Sequence, residues 1–274
     1  MDWKKAVVIF GILGIGVGGG LACDDEGDEK EAGEGTLKVT LWGEEYIEEG
    51  LPDDVFADGY TVTYTKFLIS LSEISTAEDG ASPAFTASDM KIWDVTKTGP
   101  VDIDSKTVPA GDYTHTAYRI SPASAGAVSG NAADDDVQHM IDDGLSVYVE
   151  GTASDGTTAV SFAWGFDTDT TYDPCHSTGA LAADGKATIQ ITIHGDHLLY
   201  DSAISEEPDL RFNDIALADS DGDTIVTEEE LLAYNITALP NYTVGSLEID
   251  NMYDFIAHMT STLGHIDGEG HCEF

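Results

Sequence analysis

The chain has 274 residues, with 52 Asp and Glu against 11 Lys and Arg and a formal net charge of −41 at pH 7. So acidic a surface repels phosphate backbones and anionic headgroups, which excludes nucleic-acid binding and electrostatic docking on acidic lipid. The length permits one large β domain or two smaller units, each with a core of its own.

The first segment has the character of an address. Lys4 and Lys5 precede an uncharged apolar stretch over 6–17, three glycines, and then Leu21-Ala22-Cys23. A positive start, a short apolar core and small residues before a cut mark a secretory signal. The apolar run is shorter than the roughly 20 residues of a membrane span. With cysteine after Leu-Ala, the segment resembles a bacterial lipoprotein signal. That resemblance implies removal of residues 1–22, lipidation of Cys23 and anchoring in a lipid membrane, on the periplasmic side or at the cell surface. Gly20 stands where that family usually carries leucine. Residues 23–36 are acidic and lack large apolar side chains, so they are expected to form a solvated tether.

Residues 37–200 have the pattern of a mainly β domain, an antiparallel β-sandwich. Leu37, Val39 and Leu41 alternate with polar neighbours, the period of a half-buried strand. Residues 60–74 supply one central strand or two short ones. Residues 90–95 and 101–108 are two more. Pro109-Ala110-Gly111-Asp112 is a turn, and 113–120 leaves it as a strand. A short helix is expected over 134–143. Residues 145–153 and 157–166 flank Ser154-Asp155-Gly156 as a hairpin. The stretch 167–186 is predicted to be a polar loop holding Cys175. Ile189, Ile191 and Ile193 then line one face of a strand that ends at His194.

Residues 201–274 change character, to a small C-terminal helical unit with a His- and Cys-bearing tail. Helical spacing covers 208–218, 228–234 and 247–263, where Ile249, Met252, Phe255, Ile256 and Met259 form a stripe. Gly264 is placed as the stop. Between the first two helices, residues 219–230 read Asp-Ser-Asp-Gly-Asp-Thr-Ile-Val-Thr-Glu-Glu-Glu. Calcium takes six to eight oxygens. Asp219, Asp221 and Asp223 alternate around one centre, Ile225 offers a carbonyl, Thr227 a hydroxyl or a bridging water, and Glu230 two carboxylate oxygens. These twelve residues resemble an EF-hand loop, and that implies bound calcium. Val226 and Leu231 fit the apolar positions that anchor such a loop. Thr224 occupies the sharp turn where the family carries glycine, so a strained and weakened loop is expected.

Cys175 and Cys272 remain once Cys23 is set aside, and two thiols in an oxidising compartment pair as a disulfide. That bond would draw His176 towards His271. With His194, His197 and His265, these imidazoles are candidate ligands for copper or zinc. No helical His-Glu-x-x-His motif is present. Two resemblances bear on this. Residues 63–74 with Val108-Pro109-Ala110-Gly111-Asp112-Tyr113 look like the methanobactin-associated copper proteins, the metallo-mystery pair family, which implies an exported β-rich fold linked to copper. The tryptophan-x-histidine of related copper proteins is absent, so no copper ligand is carried over. Residues 194–230 and the tail 263–272 are similar to lipoproteins of myxobacteria.

No nucleophile elbow, phosphate loop or dinucleotide fingerprint occurs. The sequence therefore points to an exported lipoprotein that binds calcium and an unidentified extracellular or periplasmic protein. The alternative is a periplasmic copper-type metal-binding protein that uses the C-terminal histidines.

Overall fold

The computed structural model describes residues 33–274, so the expected signal, the expected lipidation site Cys23 and most of the expected tether lie outside the described residues. Strand β1 (Glu34–Trp42) begins inside the expected tether and leads into helix α1 (Glu44–Glu48). The long β2 (Thr61–Ala77) follows, then β3 (Phe85–Ala87), β4 (Lys91–Asp94), β5 (Val101–Pro109) and β6 (Gly111–Ile120). After β7 (Val128–Ser129) come α2 (Asp134–Asp143), β8 (Val147–Ser154), β9 (Ala159–Phe166), β10 (Thr170–Leu181) and β11 (Lys186–Ile193). The C-terminal part holds α3 (Asn213–Ala216), β12 (Ile225–Val226), α4 (Glu228–Ala233), α5 (Met252–Met259) and β13 (Gly264–Ile266). No described helix is long and apolar enough to cross a membrane.

The strands form a mainly β architecture of two sheets packed as a sandwich. The smaller runs β13-β11-β1-β5, and the larger runs β10-β6-β2-β8-β9-β12, with β3, β4 and β7 attached to it. Alternation decides which face each strand buries. Leu37, Val39 and Leu41 of β1 and Ile189, Ile191 and Ile193 of β11 are all fully buried, and these two strands pair in parallel. The sandwich is therefore not purely antiparallel, because β1 and β11 are far apart in the chain and arrive from the same end. Strand β2 is a single central strand of 17 residues. Its register shifts between Ser72 and Ser75, and Glu73 takes a left-handed φ of 55° there. This is the extra residue of a bulge that bends a long strand.

Three expectations change. The helix expected over 208–218 is limited to the four residues of α3. The predicted polar loop over 167–186 contains the twelve-residue strand β10. Its inward positions are Tyr172, Cys175, Ser177, Gly179 and Leu181. Small and polar residues among them conceal the apolar alternation, and the buried Ser177 hydroxyl is satisfied by donating to the Tyr113 carbonyl at 2.8 Å. The predicted helix over 247–263 is confined to α5. Asn251 caps its start by accepting from the Asp254 N–H. Past its end, Thr260, Ser261 and Thr262 each donate a side-chain hydroxyl to the carbonyl three residues back. Such bonds compete with the helical ladder, and the chain tightens into a 3-10 turn. Gly264 is not merely a stop but the first residue of β13.

The C-terminal region shares the sandwich core. Phe212, Ile215, Leu231, Met252, Phe255 and Ile256 belong to the same hydrophobic cluster as the strands, and the described residues 33–274 fall in one compact unit. The expected boundary near residue 200 is a change of local structure, with no break in the core.

Candidate metal centres

The end of β11 builds the first site. The chain leaves the strand at His194 and enters a 3-10 turn over Gly195–Leu199. A Cβ on Gly195 would lie 2.5 Å from Ile47 of α1, so only glycine allows this approach. The buried Tyr64 hydroxyl donates to the Gly195 carbonyl at 2.7 Å and fixes the turn. The tight turn sets the rings of His194 and His197 5.2 Å apart. Strand β13 pairs antiparallel with β11, with His265 opposite Thr192. His265 thereby stacks on His194 at 4.1 Å and lies 5.1 Å from His197. The three histidines each offer a ring nitrogen within 4.8 Å of the others.

Their hydrogen bonding is incomplete in a way that suits a metal. His197 Nδ1 lies 2.7 Å from the Thr262 carbonyl oxygen, which can only accept, so Nδ1 carries the hydrogen and Nε2 keeps its lone pair. Holding one ring nitrogen this way orients the other as a ligand. His194 is 6% exposed and His265 9% exposed. His194 Nε2 and His265 Nδ1 are nevertheless buried without a hydrogen-bond partner. Burial, followed by the neighbouring imidazoles, pushes His265 down to about 3. Burial also lowers His197. Both shifts favour the neutral imidazole, the form that binds metal. A cavity of about 320 Å³ opens beside the group, bordered by His197, Tyr200, Met259, His265, Glu269 and His271.

The other two predicted ligands fall outside this group. Cys175 and Cys272 are joined as a disulfide, but the bond does not bring His176 to the tail histidines. Cys175 faces the core, so the two-residue period of β10 turns His176 to the exposed face, opposite His115 of β6. His271 is exposed at the cavity rim, its ring 5.9 Å from that of His265.

The acidic loop forms the second site. Asp219, Asp221 and Glu230 bring carboxylate oxygens within 4.8 Å of one another. Thr224 takes the left-handed conformation expected of the turning position, with φ 68°. The Asp219 carboxylate holds the turn by accepting from the N–H groups of Gly222 at 2.8 Å and Thr224 at 3.0 Å. Asp223 stands outside the carboxylate group and accepts from the Ile225 N–H instead. Thr227 is the N-cap of α4 and makes a capping box with Glu230. The N–H groups of Thr227 and Ser220 hold the Glu230 carboxyl down at about 2. Ile225 and Val226 form β12, which pairs in parallel with Ser161 and Phe162 of β9. The buried Trp164 indole N–H donates to the Val226 carbonyl at 2.8 Å. The loop is thus fastened to the edge of the large sheet.

No known protein family, curated protein or solved structure matches the chain. One residue beside the histidines carried no signal in the sequence. Glu44, the first residue of α1, reaches His194 Nε2 at 3.4 Å. Nothing in a single sequence links positions 44 and 194, because α1 is placed on the 3-10 turn only by the fold.

Proposed function

We propose that this protein is an exported, membrane-anchored metal-binding protein, with His194, His197 and His265 as a transition-metal centre. The reading is carried by one observation: His194 Nε2 and His265 Nδ1 are buried without a hydrogen-bond partner, in a group where His194, His197 and His265 each offer a ring nitrogen within 4.8 Å of the others. A buried polar atom left unsatisfied destabilises the fold by about 1–3 kcal/mol, and a metal ion accepts the lone pairs that no donor meets. Imidazole donors suit copper or zinc. The Cys175–Cys272 disulfide agrees with an oxidising compartment, and Lys4 through Cys23 supply the lipoprotein address.

The test is metal analysis of the full chain after mild purification, followed by titration with copper and zinc. One equivalent is expected to bind, and the double variant His194→Ala/His265→Ala is expected to abolish it. Absence of binding in the parent chain sinks the reading.

The 219–230 loop supports a second metal, calcium, in a structural role. The observation that favours it is Thr224 at a positive φ, a conformation that a threonine adopts only when the surrounding loop imposes it. Calcium in 100-fold excess over its dissociation constant would stabilise the fold by about 2.7 kcal/mol. Unfolding midpoints with calcium and with chelator decide the matter, and equal midpoints remove calcium from the account.

A further inference from the structure

The histidine group has an acidic side. Glu44, His194 and Glu269 each offer a ligand atom within 4.8 Å of the other two, so His194 belongs to both this set and the three-histidine set. The backbone is bent to achieve it. Glu44 opens α1 with a left-handed φ of 56°. Glu269 sits in a tight turn closed by reciprocal hydrogen bonds between Ile266 and Gly270, at 3.0 and 2.9 Å. Within that turn Asp267 and Gly268 both take positive φ, at 50° and 82°. His194 Nε2, buried and without a hydrogen-bond partner, is the atom that faces Glu44.

We propose that Glu44 and Glu269 complete the metal centre and select a divalent cation, of the zinc or cupric class, over cuprous copper. The inference rests on the three-histidine reading above. Neutral imidazoles bring no charge, so a doubly charged ion among buried rings needs anions close by to offset its desolvation. Two carboxylates supply that charge. Cuprous copper is drawn instead to thiolate and thioether ligands. Both described cysteines are tied up in the disulfide, and the soft donor bordering the cavity is the Met259 thioether. Mixed nitrogen and oxygen ligands with two negative charges favour the divalent ion.

The experiment compares zinc and cuprous affinities of the full chain, measured by chelator competition at pH 7, in the parent and in Glu44→Gln, Glu269→Gln and Glu45→Gln. Glu45 is exposed next to Glu44 and controls for general charge. Zinc affinity is expected to fall about 10- to 100-fold in Glu44→Gln and in Glu269→Gln. Cuprous affinity in those variants, and zinc affinity in Glu45→Gln, should change less than about twofold. Circular dichroism and melting of each variant report whether it is folded. Folded Gln variants that bind zinc like the parent, or a drop of equal size in Glu45→Gln, overturn the inference and leave the histidine reading standing. A parent chain that binds cuprous copper more tightly than zinc also overturns it. Failure of the parent to bind either metal overturns the histidine reading itself.

Discussion

The imidazole of His194 lies over that of His265, centroids 4.1 Å apart and planes 25° from parallel. Two stacked, buried rings tolerate little added charge. Burial, then the nearby imidazoles, pushes His265 to about 3, whereas an ordinary imidazole titrates near 6.5. Between these values the unfolded chain takes up a proton that the folded chain refuses. The stability linked to His265 is therefore complete above about pH 6.5 and is lost as pH falls towards about 3. Carboxylates titrate in the same range and contribute to both proteins compared. The informative quantity is therefore the difference between metal-free parent and His265→Gln in urea midpoint at pH 7.5 and pH 5. The parent should lose more of its midpoint than the variant on acidification. Equal losses would mean that His265 protonates freely in the folded chain.

The disulfide should act on the metal through the same histidine. Cys272 is tied to Cys175 across 97 residues, and removal of such a bond typically costs about 2–5 kcal/mol. His265 lies in the three-residue β13, which the tail follows directly. Its carbonyl also accepts from Tyr118 at 3.1 Å. The double variant Cys175→Ala/Cys272→Ala is expected to melt lower and to bind metal less tightly, by the fraction of chains that keep His265 in place. His194 and His197 leave from β11 and need no tail, so weak binding should persist. Unchanged affinity in a folded variant would show that β13 holds His265 without the bond.

Much of the sandwich was legible because its strands alternate cleanly. Leu37, Val39 and Leu41, or Ile189, Ile191 and Ile193, announce a strand and its buried face together. Strand β10 hides the same alternation behind Cys175, Ser177 and Gly179, whose inward side chains are small or polar. The helix expected over 247–263 outruns α5 because the hydroxyls of Thr260, Ser261 and Thr262 bond back to carbonyls, which a stripe that ends at Met259 does not reveal. Within the metal group, His194 and His197 stand together in the chain. His265 joins them only through the pairing of β13 with β11, and Glu44 only through the seat of α1 against Gly195. Both relations are long-range and leave no periodic trace. His176 shows the opposite error: its neighbour is bonded to the tail, yet one step along a strand reverses the face.

Thr224 should be improvable. Its φ of 68° costs a β-branched residue about 1–2 kcal/mol relative to a right-handed conformation. The position is held from both sides, since its N–H donates to Asp219 at 3.0 Å and its carbonyl accepts from the Ser161 N–H at 2.9 Å. Glycine removes the strain and gives back part of the gain as added freedom in the unfolded chain. Thr224→Gly is expected to stabilise by about 0.5–1 kcal/mol and to raise calcium affinity severalfold. Denaturant unfolding and calcium titration check the two effects separately. A destabilised variant would show that the hydroxyl or the methyl contributes more than the backbone strain.

Trp164 should carry the link between the calcium loop and the sheet. It is 1% exposed, and its indole N–H donates to the Val226 carbonyl at 2.8 Å. Beside it, the Gly165 N–H donates to Glu228 at 2.6 Å, which fixes the first turn of α4. Trp164→Phe removes the hydrogen bond to the Val226 carbonyl, a loss of about 0.5–1.5 kcal/mol, with a further loss for the smaller ring. The loop loses its anchor on β9, so more of the calcium binding energy goes into ordering Asp219, Asp221 and Glu230. Calcium affinity should fall by about tenfold, the factor that 1.4 kcal/mol of added ordering represents. Binding at His194, His197 and His265 should hold, because His265 stands on β13 and the other two on the turn that follows β11, both strands of the other sheet. Titrating both metals into the one variant separates the cases. A loss of stability with calcium affinity intact would make Trp164 a core residue only, and parallel losses at both sites would mean the whole fold has loosened.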